Sequence, residues 1–205
     1  MQFADAPGWL MSEETSRDVL VALYIRDVLD VRPPSGLPRL EPRIGAAEHA
    51  RTMREQRVLE IQWEHWWQTV VEPRTHPSPV PLILLPLRHG GIAVPQTGSE
   101  ELTAAVMANG REAEGWVDRA QSVRDEGEIE RIQRQDGTAL TRLVAERERE
   151  IGRRARSFRL RIEILPFDEP GLWWIGDSAV AVSETLRDDS AAFAEFMRPV
   201  IAHVA

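Results

Sequence analysis

The 205-residue chain has no cysteine and no lysine, one asparagine (Asn109) and one tyrosine (Tyr24). Without cysteine there is no disulfide framework, no thiolate metal site and no cysteine nucleophile, and a reducing compartment, the cytoplasm, is the expected location. Without lysine no phosphate loop of the G-x-x-x-x-G-K-[ST] type can exist, and no G-x-G-x-x-G run is present either. Long apolar runs are also missing. The longest near the N-terminus is Val19 to Ile25, far below the roughly 20 residues of a membrane span. The opening MQFADAPGWL has neither a basic nor an apolar region, so neither a signal peptide nor a membrane partner is expected. Met11 begins a more conventional start, and residues 1–11 read as an N-terminal extension.

What is present is the composition of a folded protein, 42% hydrophobic and 28% charged, at a length that suits one domain over residues 1–205. All 25 basic residues are arginine. Guanidinium chemistry is one reading of that excess; genomic GC bias is the simpler one, and it also accounts for the scarcity of asparagine. The net charge of −8 disfavours nucleic acid as a general partner, because phosphate affinity rests on neutralising backbone charge.

Periodicity sets the expected elements. Residues 15–31 read as a helix started by Thr15 and Asp18, apolar on nearly every side and therefore buried. A Pro-rich connector at 32–45 leads to a second helix over 46–71, with Leu59, Trp63, Trp66, Trp67 and Val70 on one stripe. That spacing marks a core face; Trp67, at the margin, is the member expected to be partly exposed. After a second connector at 72–80, VPLILLPLR, His89-Gly90-Gly91 and IAVP predict a strand, a glycine turn and a strand. A third helix opens at Ser99 and is expected to end near Asn109-Gly110, with further helices over 112–135 and 138–155 around Asp136-Gly137. SFRLRIEILPF alternates as a half-buried strand. LWWI and SAVAVSETL, around Gly176-Asp177, complete a three-stranded meander, and 188–202 closes the chain as a helix. The expected class is α+β: a small antiparallel sheet including the C-terminal meander, packed by four to six helices.

Few residues offer chemistry. His49 and His65 lie sixteen apart, turned roughly 160° from each other on a helix, and neither has a second histidine at chelating spacing. No metal or cofactor is expected on that basis. His89-Gly90-Gly91 after an apolar strand, together with Gly176-Asp177-Ser178-Ala179, resembles the hormone-sensitive-lipase branch of the α/β-hydrolases. The resemblance implies Ser178 as nucleophile, Gly90 and Gly91 as oxyanion donors, and His203 as the one histidine downstream. It covers seven residues, and Val180 and Ala181 stand where that family's elbow has glycines. A Gly-Asp hairpin turn explains the same residues with Ser178 inert.

Charge is polarised along the chain. Residues 131–161 hold ten arginines against four acids, whereas 100–130 hold nine acids against three arginines. An antiparallel pair of helices would set the two limbs face to face, with Arg147 on a carboxylate of its own chain and at least two of Arg149, Arg153, Arg154 and Arg156 likewise. The favoured expectation is a non-catalytic protein-interaction or assembly subunit, binding itself or another protein. Trp67, Trp173, Trp174, Arg149, Arg153, Arg154 and Arg156 are the candidate contacts. The alternatives are the Ser178 hydrolase and a phosphate or nucleic-acid binder using the cluster from Arg131 to Arg161.

Overall fold

The alternation over Arg159–Leu165 becomes an inner strand of a mixed four-stranded sheet. The computed structural model describes residues 8–32, 36–46, 51–88, 90–133 and 139–205, with 125–133 as backbone. His49, His89, Arg134 and the Asp136-Gly137 turn lie outside them, as does the Arg131 side chain. In chain order the elements are β1 (Leu10–Glu14), α1 (Arg17–Val28), α2 (Met53–Val71), β2 (Leu82–Leu87), β3 (Gly90–Pro95), α3 (Glu100–Gln133), α4 (Ala139–Ile151), β4 (Arg159–Leu165), β5 (Leu172–Trp174), β6 (Ala179–Ser183), α5 (Glu184–Asp188) and α6 (Ser190–Val204). The class is α+β, and no described helix is long and apolar enough to cross a membrane.

The three C-terminal strands fall where periodicity places them, but not as a meander. The sheet order is β1-β4-β6-β5: β4 pairs in parallel with both β1 and β6, and only β5–β6 is an antiparallel hairpin. Burial explains the exchange. Every residue of β6 (AVAVS) is buried, so it belongs inside the sheet, whereas β5 is half-exposed and takes the edge. The antiparallel β2–β3 pair forms a separate two-stranded sheet. Leu10 and Met11, within the stretch read as an extension, enter β1.

Helices cover both faces. Leu160, Ile162, Ile164, Val180 and Val182 pack with α4 and α6, while Leu165, Ala179 and Ala181 pack with α1 and α2. β4 is consequently more than half-buried. Its polar face meets the start of α1, where Glu163, fully buried, accepts the Ser16 N–H at 2.8 Å and the Ser16 hydroxyl at 2.6 Å. Thr15 does not cap that helix; its hydroxyl donates to the Ile164 carbonyl at 2.7 Å. The capping box occurs on α2, where Thr52 and Glu55 bond reciprocally.

Trp63 and Trp66 are fully buried, as their spacing predicts, and their indole N–H groups donate to the Ala22 and Ala93 carbonyls at 2.8 Å. Trp67 is buried too, against expectation. It stacks on Trp63 with centroids 5.2 Å apart because α2 is covered on two sides. α3 runs unbroken through Asn109-Gly110: the Asn109 amide donates back to the Ala105 carbonyl, and a Cβ on Gly110 would lie 2.6 Å from Leu87. This glycine admits a neighbouring strand and does not end the helix. α4 stops at Gly152 (φ 66°) and docks on α6; the expected pairing of acidic and basic helices falls largely on side chains of 125–138, outside the described residues.

Candidate functional site

α2 ends at Val71, and the next residue turns the chain back on itself. The Glu72 carbonyl accepts the N–H groups of Thr75 (3.1 Å) and His76 (2.8 Å), which sets the imidazole beside the Glu72 side chain. The carboxylate reaches across to the β5–β6 turn. Its Oε2 accepts the Asp177 N–H at 2.8 Å, and its Oε1 accepts both the N–H and the hydroxyl of Ser178 at 2.7 Å. Gly176 is required by this approach, since a Cβ there would lie 2.4 Å from the Glu72 carboxyl carbon. Burial works to raise the Glu72 pKa. The three donors of the turn, helped by His76, outweigh it and hold the group below the usual carboxylate range.

Two cavities adjoin this carboxylate. One, of about 550 Å³, is lined by Ser12, Arg74, Arg159, Arg161 and Ser178. Arg161 is engaged there, 3.3 Å from both Glu14 and Glu163 and bonded to the Val71 carbonyl. Arg74 and Arg159 have no described carboxylate within 4 Å. The other, of about 300 Å³, is lined by Glu64, Trp67, His76, Trp174 and Asp177. His76 Nε2 stands 3.5 Å from Glu72 Oε2 and 3.6 Å from Asp177 Oδ2.

The sequence-selected residues are dispersed. The Ser178 hydroxyl donates a hydrogen bond to the Glu72 carboxylate, and no described histidine hydrogen-bonds it. His203 instead meets Trp174 edge-on, with centroids 5.5 Å apart. Gly90 and Gly91 open β3 in the separate hairpin, where a Cβ on Gly91 would lie 2.6 Å from Leu84. Gly91 is therefore tied to strand packing, whereas Gly90, with nothing within 4 Å of a would-be Cβ, is set apart by its φ of 135°. Trp173 lies against Phe167 (5.3 Å, edge-on), whereas Trp174 is 41% exposed on the edge strand.

Arg147 contacts Glu150 at 3.3 Å, as expected. Arg149, Arg153, Arg154 and Arg156 are exposed, with no carboxylate among the described residues within 4 Å; the acids of 125–136, on which the companion expectation rests, lie outside the described side chains. Arg153 donates to the Arg154 carbonyl, and Arg156 to those of Val204 (2.9 Å) and His203 (2.7 Å). They lie at the exposed end of α4 and in the loop beyond Gly152. Arg156 and Trp174 thus flank one residue, His203.

Sequence reasoning missed Glu72, His76 and Asp177, placing the first two in a connector and the third in a turn. The one available signal was the four-residue Glu-to-His spacing at the end of a helix. No protein-family model, curated protein or solved structure matches this chain.

Proposed function

We propose that the protein is a non-catalytic interaction subunit of the cytoplasm that binds an acidic segment of a partner protein at the corner formed by Trp174, His203 and the arginines from Arg149 to Arg159. One observation carries the reading: five guanidinium groups, those of Arg149, Arg153, Arg154, Arg156 and Arg159, stand within eleven residues with no described carboxylate in salt-bridge range, on a chain of net charge −8. Surface arginines with no described carboxylate partner, one of which (Arg156) shares His203 with the half-exposed Trp174, offer both the anchor and the charged rim that partner recognition uses.

A second reading, a phosphate-type ligand, is favoured by Arg74 and Arg159 at the 550 Å³ groove. Fluorescence anisotropy separates the two, using an acidic peptide, heparin and short DNA across a salt series. The subunit reading expects the acidic peptide to bind and both Trp174→Ala and Arg153→Ala/Arg154→Ala to weaken it at least about tenfold. Steeply salt-dependent binding of heparin or DNA alone, indifferent to Trp174→Ala, would support the phosphate reading instead. Failure of all three probes to bind would overturn both.

A further inference from the structure

The 300 Å³ cavity has a wall that the partner-binding reading does not use. Glu72, His76 and Asp177 converge there, each offering one ligand atom, all within 4.8 Å of one another. We propose that these three residues form a binding site for a divalent transition-metal ion of the zinc type, with its remaining coordination open to the cavity.

The distances favour an ion over a shared proton. His76 Nε2 lies 3.5 Å from one carboxylate oxygen and 3.6 Å from the other. Both are longer than N–H···O hydrogen bonds, which run to about 3.2 Å. Both come within a few tenths of an ångström of the ligand-to-ligand edge, about 3.3–3.4 Å, that zinc–ligand bonds of about 2.0–2.1 Å produce in a tetrahedron. Two carboxylates and a neutral imidazole also balance a divalent charge.

The ligands differ in how firmly they are held. Three donors fix Glu72: Oε1 is saturated by Ser178, and among the described residues Oε2 takes only the Asp177 N–H, leaving one lone pair for a further partner. Such supporting bonds orient metal-ligating carboxylates. His76 is 44% exposed and Asp177 77% exposed, so each can close on an ion without disturbing the core. A separate observation concerns a residue of the same cavity wall. Glu64 lines it, and its Oε2 is buried with no hydrogen-bond partner among the described residues, an unsatisfied acceptor next to the three ligands. Three protein ligands with an open position is the arrangement of zinc sites that admit a small molecule. Trp67 and Trp174 give this cavity an apolar side for one.

The test is titration of the chelator-treated full chain with ZnCl2, followed by calorimetry and thermal melting, and with CoCl2 followed by visible absorption. One zinc per chain, a rise in Tm and a tetrahedral-type cobalt spectrum are expected. His76→Ala and Asp177→Asn should each weaken zinc binding at least about tenfold while melting near the wild type in chelator. His49→Ala/His89→Ala should bind zinc as the wild type does. Absence of zinc binding by the wild type, or affinity unchanged in both His76→Ala and Asp177→Asn, would overturn the proposal. Neither result depends on the acidic-peptide assay, so the two ideas fail separately.

Discussion

Glu72 and Ser178, 106 residues apart in the chain, meet through two hydrogen bonds of 2.7 Å, the Ser178 N–H and hydroxyl both donating to one carboxylate oxygen. The contact ties the end of α2 to the start of β6. It also gives the hydroxyl of Ser178 an acceptor that orients it.

Ser178 should therefore be inert to a fluorophosphonate probe, and Ser178→Ala should lose stability. The variant keeps the backbone donor but loses a hydrogen bond to a charged group, a change of roughly 1.5–3 kcal/mol. Urea denaturation measures the second effect. Covalent labelling of Ser178 would count against the assignment.

At Gly176 the constraint is space. Gly176→Ala sets a methyl 2.4 Å from the Glu72 carboxyl carbon, and the displaced turn should cost about 1–3 kcal/mol. Gly45→Ala is the control, because nothing lies within 4 Å of its would-be Cβ, and it should fall within about 0.5 kcal/mol of the wild type.

Burial separates the tryptophans. Trp66 is fully enclosed, and Trp66→Ala should cost about 3–5 kcal/mol in chemical denaturation. Trp174→Ala, at an exposed edge position, should cost far less. Equal losses at the two positions would contradict the burial described.

Glu163 should make stability depend on pH. Burial raises its pKa, and the Ser16 donors and Arg161 only partly oppose this. A carboxyl with a higher proton affinity folded than unfolded contributes full stability below its unfolded pKa. That contribution declines as pH rises from the ordinary carboxylate value of about 4.3 through the raised folded value. In Glu163→Gln, which keeps an acceptor for Ser16, that decline should vanish. Melting curves from pH 4 to 8 should show the variant gaining on the wild type as pH rises; a constant gap would refute the assignment.

Much of the fold is legible in local pattern. The period of two over Phe158–Ile164, the all-round apolar run of α1 and the tryptophan spacing of α2 each report which face is buried, and each element formed within its expected span, although α2 begins at Met53, later than the expected start at 46. Local pattern says nothing about which element lies on the other side. Asn109-Gly110 has the chemistry of a helix end, yet Leu87 occupies the space that the glycine leaves, and the helix continues. The exposure of Trp67 was misjudged for the same reason: a stripe identifies a face, not how many neighbours cover it.

The sequence by itself determined the class of the fold, the sites of the C-terminal strands and the burial of the tryptophan stripe, because periodicity and turn chemistry act over neighbouring residues. Tertiary structure alone decided that β6 lies between β4 and β5, that α4 docks on α6, and that Glu72, His76 and Asp177 share one cavity. Those outcomes depend on burial competing over the whole chain: the most apolar strand takes the centre, and a carboxylate is held where distant backbone donors can satisfy it.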